Sequence, residues 1–174
     1  MKKIYVLLMK TKTSTDRFIR FMTKYDYSHV AISLDKSCEK IYSFGRKKPH
    51  AIIPGGFVTE NKDGAFFKVF NDTKCKIYEV EASEEQYEEL SNIIATMEEN
   101  KDIYKYDYLG LIYRFFNIQK IYENKYVCSY FVADLLEKTN IHKFDKETCF
   151  IRAEDFENLE GFNEIYSGKY CLYK

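Results

Sequence analysis

The chain has 174 residues, 45% of them apolar and 31% charged, enough for one domain, residues 1–174, with a sizeable core and outside the ranges of disordered or collagen-like chains. Lys plus Arg (27) equals Asp plus Glu (27), so no net field favours nucleic acid or an acidic surface. The longest apolar run, Ile4 to Met9, is far short of the ~20 residues needed to cross a membrane as a helix. Sixteen tyrosines and 14 phenylalanines without one tryptophan are the compositional oddity.

Ile4 to Met9 reads as a buried first strand rather than a secretion leader, because Lys10 and Lys12 stand where small cleavage-site residues would follow. Ser14 to Tyr25 reads as a helix, with Ser14 or Thr15 as its N-cap and Phe18, Ile19 and Met22 at helical spacing. From His29 to Asp35 the period becomes two. Val30, Ile32 and Leu34 share one face, and His29, Ala31, Ser33 and Asp35 the other. A turn at Lys36 to Glu39 leads into a partner strand, Lys40 to Gly45, making an antiparallel hairpin.

Arg46 to Ala65 holds both prolines and three of the seven glycines and reads as a loop. It is the candidate lid, with Pro54-Gly55-Gly56 as its hinge and Ile52, Ile53 and Phe57 available to line a groove. Phe66 to Phe70 and Lys76 to Glu81 read as strands. Ser83 with Gln86 forms a capping box for a helix to about Asn100, and Asp107 caps a second helix, Tyr108 to Phe116. A third begins near Cys128, with Phe131, Val132, Leu135 and Leu136 on one face, and Glu164 to Tyr173 ends the chain as a strand. Hairpins mixed with helices, without regular βαβ units, give an α+β class.

Five cysteines are an odd number, and none pairs as C-x-x-C, so neither a disulfide framework nor a metal site is expected. Free thiols fit a reducing, cytoplasmic setting. Cys128 alone opens an apolar helix, where unpaired backbone N–H groups favour a thiolate. Cys38 falls in an exposed-looking turn, Cys75 between lysines, and Cys149 and Cys171 in apolar surroundings. A thiol nucleophile needs a base. His29 starts a strand on the face away from the apolar set, His50 lies in the loop, and His142 follows the Cys128 helix. His29 and Cys128 together make a papain-like arrangement.

Ser28-His29-Val30-Ala31-Ile32, Ile41-Tyr42-Ser43-Phe44-Gly45 and Tyr126-Val127-Cys128-Ser129-Tyr130-Phe131-Val132-Ala133 resemble the circularly permuted NlpC-type papain-like hydrolases, the group of YiiX-like proteins and relatives of lecithin retinol acyltransferase. Histidine precedes cysteine in that group, as here, and Tyr106-Asp107-Tyr108-Leu109-Gly110 is similar as well. The resemblance spans residues 4–136. It implies an antiparallel sheet packed on helices, a cysteine nucleophile at a helix N-terminus, a histidine base and a polar residue orienting the imidazole. Many YiiX-like sequences have glutamate at that last position, and motif alignment puts Ser43 there. Ser43 shares a face with His29 only if the hairpin pairs residues whose numbers sum to an even value; the other register presents Tyr42.

The expected function is therefore a thiol hydrolase (amidase, peptidase or esterase). Cys128 would attack a carbonyl, His29 would carry the proton, and the Cys128 N–H would help hold the oxyanion. No metal or other cofactor is implied. The substrate would be a small-molecule, peptide or lipid-like amide or ester. An acyltransferase using the same site, or a binding module keeping the fold without catalysis, stand as alternatives. Several tyrosines, from Tyr25 and Tyr27 to Tyr106, Tyr108, Tyr126 and Tyr130, are expected to flank the cleft.

Overall fold

The computed structural model describes residues 1–49 and 51–174, without the side chains of Ser14, Thr15, Met22, Ile52 and Phe115. The expectations placed on the side chains of His50, Ile52 and Met22 thus lie outside the described residues. Strands β1 (Lys2–Lys10), β2 (His29–Ser33), β3 (Lys40–Lys48), β4 (Ala51–Asn61), β5 (Lys74–Ala82) and a C-terminal strand form a six-stranded sheet in the order β4-β3-β2-β1-β5 and then that last strand. Every pair in it is antiparallel. Helices α1 (Ser14–Thr23), α2 (Ala65–Val69), α3 (Glu84–Glu99), α4 (Tyr108–Phe115) and α5 (Cys128–Lys138) complete an α+β fold. The two-residue strands β6 (Lys105–Tyr106) and β7 (Lys125–Tyr126) pair in parallel and bring the starts of α4 and α5 side by side. The C-terminal strand, β8, is Phe162–Lys169.

β1 is central and buried on both faces, which is why its sequence is an unbroken apolar run instead of an alternation. Ile4, Val6 and Leu8 join Val30, Ile32 and Phe44 beneath α3 and α5. Tyr5, Leu7 and Met9 join Ala31, Ile41 and Ile77 on the other face, under Phe67 and Tyr170. α5 is held to the first face by Phe131, Val132, Leu135 and Leu136, none more than 2% exposed. Each such side chain contributes roughly 1.5–3 kcal/mol of burial.

Several local expectations are met. Ser83 and Gln86 form the reciprocal capping box, with Ser83 Oγ 3.1 Å from the Gln86 N–H and Gln86 Oε1 2.8 Å from the Ser83 N–H. Asp107 caps α4 by accepting from the Gly110 N–H at 2.8 Å. Other readings change. The α1 cap is Thr13, which accepts from the Asp16 N–H at 3.1 Å, and the helix closes at Lys24 with a left-handed φ of 57°. Phe66 to Phe70 is not a strand: it falls in and just after α2, whose Phe67 packs on Tyr170. The chain ends in a 3₁₀ turn, Tyr170–Leu172, after β8.

The largest correction concerns residues 46–65. Described on either side of position 50, they are mainly the outer half of β3 and all of β4, paired from Lys40↔Asn61 to Lys48↔Ala51. A lid hinged at Pro54-Gly55-Gly56 does not exist. These glycines mark close packing: a Cβ on Gly55 would lie 2.8 Å from the Tyr106 Cβ, and one on Gly56 would strike the Tyr104 carbonyl oxygen. Cys38, expected in an exposed turn, is fully buried at a φ of 48°, and Cys171, expected in apolar surroundings, is exposed.

Candidate active site

His29 is the first residue of β2. In the β2–β3 hairpin Ile32 stands opposite Tyr42, the even register, so His29 and Ser43 leave the pair on one face. Ser43 Oγ lies 2.9 Å from His29 Nε2 and 3.0 Å from the Val30 carbonyl oxygen. A carbonyl can only accept, and a hydroxyl has one hydrogen. With that hydrogen on the Val30 oxygen, His29 Nε2–H donates to Ser43, and Nδ1 keeps its lone pair. The ring lies beside Gly45, where a Cβ would sit 3.6 Å from His29 Cε1.

Among the described residues no carboxylate is hydrogen-bonded to this imidazole. Asp16, 2% exposed, raises its basicity, but burial is the larger effect and pushes the His29 pKa down to about 4. Asp16 is itself committed elsewhere, accepting from Ser28 Oγ, from Arg20 Nε at 3.0 Å and from the Thr11 N–H at 3.4 Å. His29 is therefore a neutral imidazole at physiological pH.

Cys128 is the first residue of α5 and 5% exposed. Burial pushes its thiol pKa up, against the opposing pull of the Val30, Ser129 and Cys128 N–H groups and the Arg114 charge. The expectation of a thiolate at this helix start is corrected: the helix end acts as anticipated, but desolvation outweighs it. The sulfur faces the Ser28 carbonyl oxygen at 3.9 Å, one residue before His29. Among the described residues no hydrogen bond joins Cys128 Sγ to the His29 ring. Val30 and Ile32 face α5, whereas His29 projects from the Ala31 side of β2. The two side chains meet the backbone at the entry of β2 from its two faces.

They also line two adjoining cavities that share Ile19, Ser28 and Tyr106. The His29 cavity, about 50 Å³, is also lined by Thr11, Thr13, Asp16, Arg46 and Glu60. Burial pushes the Glu60 pKa up to about 7, and no hydrogen bond or ion pair to its carboxylate is found among the described residues. The Cys128 cavity, about 210 Å³, is walled largely by apolar and aromatic side chains of α1, α4 and the 150–153 segment. Tyr25 and Tyr27 line the Cys128 cavity, and Tyr108 lines the other. Tyr126 and Tyr130 instead stack on each other in the core cluster, with centroids 4.9 Å apart. His142 packs on Phe144 and Phe162 and lines neither cavity.

Sequence reasoning missed Arg114, Glu60 and Asp16. Arg114 has a readable signal, since it follows the cap Asp107 by two helical turns and returns to pair with it at 3.4 Å. Glu60 was hidden by the loop reading of β4. Among the described residues no group of three or more His, Cys, Asp or Glu side chains is arranged to hold a metal ion, and no helix is long and apolar enough to cross a membrane. No protein-family model matches the chain, and no curated protein matches it in sequence.

Proposed function

We propose that the chain is a permuted papain-like thiol hydrolase of a reducing, cytoplasmic setting, with Cys128 as nucleophile, His29 as base and Ser43 as the residue that orients the imidazole. The observation that carries this is the 2.9 Å His29 Nε2–Ser43 Oγ contact; with the Ser43 hydrogen on the Val30 oxygen it leaves Nδ1 unprotonated, at a ring whose backbone neighbour, Ser28, touches the Cys128 sulfur. The resting pair is neutral on both sides, so the thiol gives up its proton only as it attacks. Sulfur adds to the carbonyl carbon of an ester or amide, and the thiol proton passes to His29 Nδ1. The oxyanion takes hydrogen bonds from N–H groups at the start of α5. Collapse breaks the bond to the leaving group, which receives the proton. Water then cleaves the thioester and restores the thiol. Because ring and sulfur reach the entry of β2 from its two faces, this transfer requires the backbone at Ser28 to shift on substrate binding so that Nδ1 comes within reach of the sulfur.

The test is hydrolysis of p-nitrophenyl butyrate, with mass spectrometry of the acylated protein. Wild type should carry the acyl group on Cys128, and Cys128→Ala and His29→Ala should each lose turnover at least a hundredfold. Turnover that survives Cys128→Ala overturns the proposal. The missing Cys128–His29 hydrogen bond favours a second reading, a binding module that keeps the fold; a folded wild type that never acylates Cys128 would support it.

The pH profile is specific. With His29 near 4 and the Cys128 thiol raised above its ordinary value of 9.0, kcat/KM should fall on the acid side with a midpoint near 4 rather than near an ordinary histidine's ~6.5. Iodoacetamide should alkylate Cys128 slowly at pH 6 and increasingly above pH 9. Fast alkylation at pH 5 to 6 would mean a preformed thiolate and contradict the neutral pair.

A further inference from the structure

The cavity beside Cys128 holds a charge that thiol chemistry alone does not require. Arg114, on α4, lines this cavity and is only 7% exposed. Its Nη2 reaches Asp107 Oδ2 at 3.4 Å, and its guanidinium lies over the Tyr130 ring with Cζ 5.1 Å from the centroid. Among the described residues, none is a hydrogen-bond partner of the buried Nε or Nη1. Donors of a permanently charged group are costly to leave unmet.

Three other polar side chains on the wall are engaged, whereas the Tyr25 hydroxyl, also buried there, has no hydrogen-bond partner among the described residues. Ser28 Oγ donates to Asp16, Ser129 Oγ donates to the Ile151 carbonyl at 2.7 Å, and Glu154 faces Arg152 at 3.7 Å. Asp107 offsets Arg114 only in part, because its carboxylate also caps α4. The N-terminus of α5, at Cys128, adds its positive end to the same cavity. Around this electropositive point the wall is apolar, and two wall residues, Phe18 and Ile112, are 49% and 47% exposed, so the mouth is apolar too.

We infer that this cavity is a binding site for an amphipathic oxyanion: an apolar chain carrying a carboxylate or phosphate whose oxygens accept from the unpaired N–H groups of Arg114. The chain would lie along α1 and α4, and the anionic head would meet Arg114 beside Cys128. The inference deepens the proposed thiol site by naming what its cavity recognises, but the binding does not depend on the thiol reacting.

The test is calorimetric titration of the full chain with decanoate, decyl phosphate, decanol and inorganic phosphate, each alkyl probe below its micelle concentration. None carries an acyl ester or amide for the thiol to attack. Decanoate or decyl phosphate should bind at one site at least tenfold more tightly than decanol, and inorganic phosphate more weakly still. The stronger of the first two tells a free acid from a lipid phosphate. Arg114→Lys, which keeps a charge for Asp107, should lose the preference over decanol. So should the paired change Asp107→Asn with Arg114→Gln, which removes both charges should the single variant not fold. Equal binding of decanol and decanoate, an unchanged preference in the folded variants, or no binding of any alkyl probe overturns the inference. Arg114-dependent binding without acylation of Cys128 would retain the inference and reject the hydrolase.

Discussion

At the scale of single residues, the site depends on what each hydrogen bond leaves free. Ser43 is fully buried, so it cannot meet a substrate and acts only through His29. Ser43→Ala removes a hydrogen bond worth about 1 kcal/mol. It should lower kcat roughly fivefold to tenfold, at ~1.4 kcal/mol per factor of ten, with KM unchanged. An equal rise in KM would point to a general packing defect instead. Arg114→Ala tests the other buried pair. Leaving Asp107, 2% exposed, without its cation should cost about 3–5 kcal/mol in urea unfolding. The paired Asp107→Asn, Arg114→Gln change should cost less than Arg114→Ala alone, and the reverse order would mean that the ion pair is not the reason.

At the scale of elements, turns and caps were more legible than strands broken by glycine. The Ser83 box and the Asp107 cap could be read because their chemistry is local, complete within three residues. The α1 cap was misplaced by one or two residues because Thr13, Ser14 and Thr15 are all competent caps and only the fold selects Thr13. β4 was missed for a different reason. Pro54-Gly55-Gly56 has turn composition, but its glycines are set by contact with Tyr104, Tyr106 and Tyr108, more than 45 residues away in sequence, which no local pattern reveals. Gly56→Ala should therefore destabilise the chain by about 1–3 kcal/mol through overpacking, read as a lower urea midpoint, although alanine is acceptable to an extended backbone. A neutral result would mean that the Tyr104 segment shifts freely.

The register condition shows the same divide within the site. Sequence supplied His29, Ser43 and Cys128 and reduced the pairing of the first two to a choice of parity; the structure supplies the choice, Ile32↔Tyr42. It could not supply the balance of desolvation against helix-end fields at Cys128, because burial is a property of the assembled core. Nor could it show that α5 approaches β2 from the face opposite the His29 ring.

At the scale of the whole molecule, two half-buried groups lining one cavity give the stability curve its shape. His29 titrates near 4 against an ordinary 6.5. Between those values the unfolded chain binds more protons, so this contribution is complete above 6.5 and is lost as pH falls through 4. Glu60 titrates near 7 against an ordinary 4.5. Here the folded chain binds more protons, so the contribution is complete below 4.5 and is lost as pH rises through 7. The two slopes oppose each other between pH 4.5 and 6.5. Glu60→Gln should raise Tm at pH 8 by more than at pH 5, and the remaining dependence should be an increase of stability from pH 4 to 6.5. An equal Tm change at both pH values would show that Glu60 does not change charge in this range.

The entry of β2 is a partition one strand thick. Ser28 faces both chambers, Asp16 holds its hydroxyl, and its carbonyl oxygen receives the sulfur. A guest that displaces Cys128 on one side breaks its contact with the peptide that precedes His29 on the other. Linkage makes any such coupling mutual: if filling the α5-side chamber shifts the imidazole's titration, protonating the imidazole changes that chamber's affinity by the same factor. The ring carbons of His29, followed by NMR against pH with the chamber filled and empty, are thus a reporter for a space the ring does not enter.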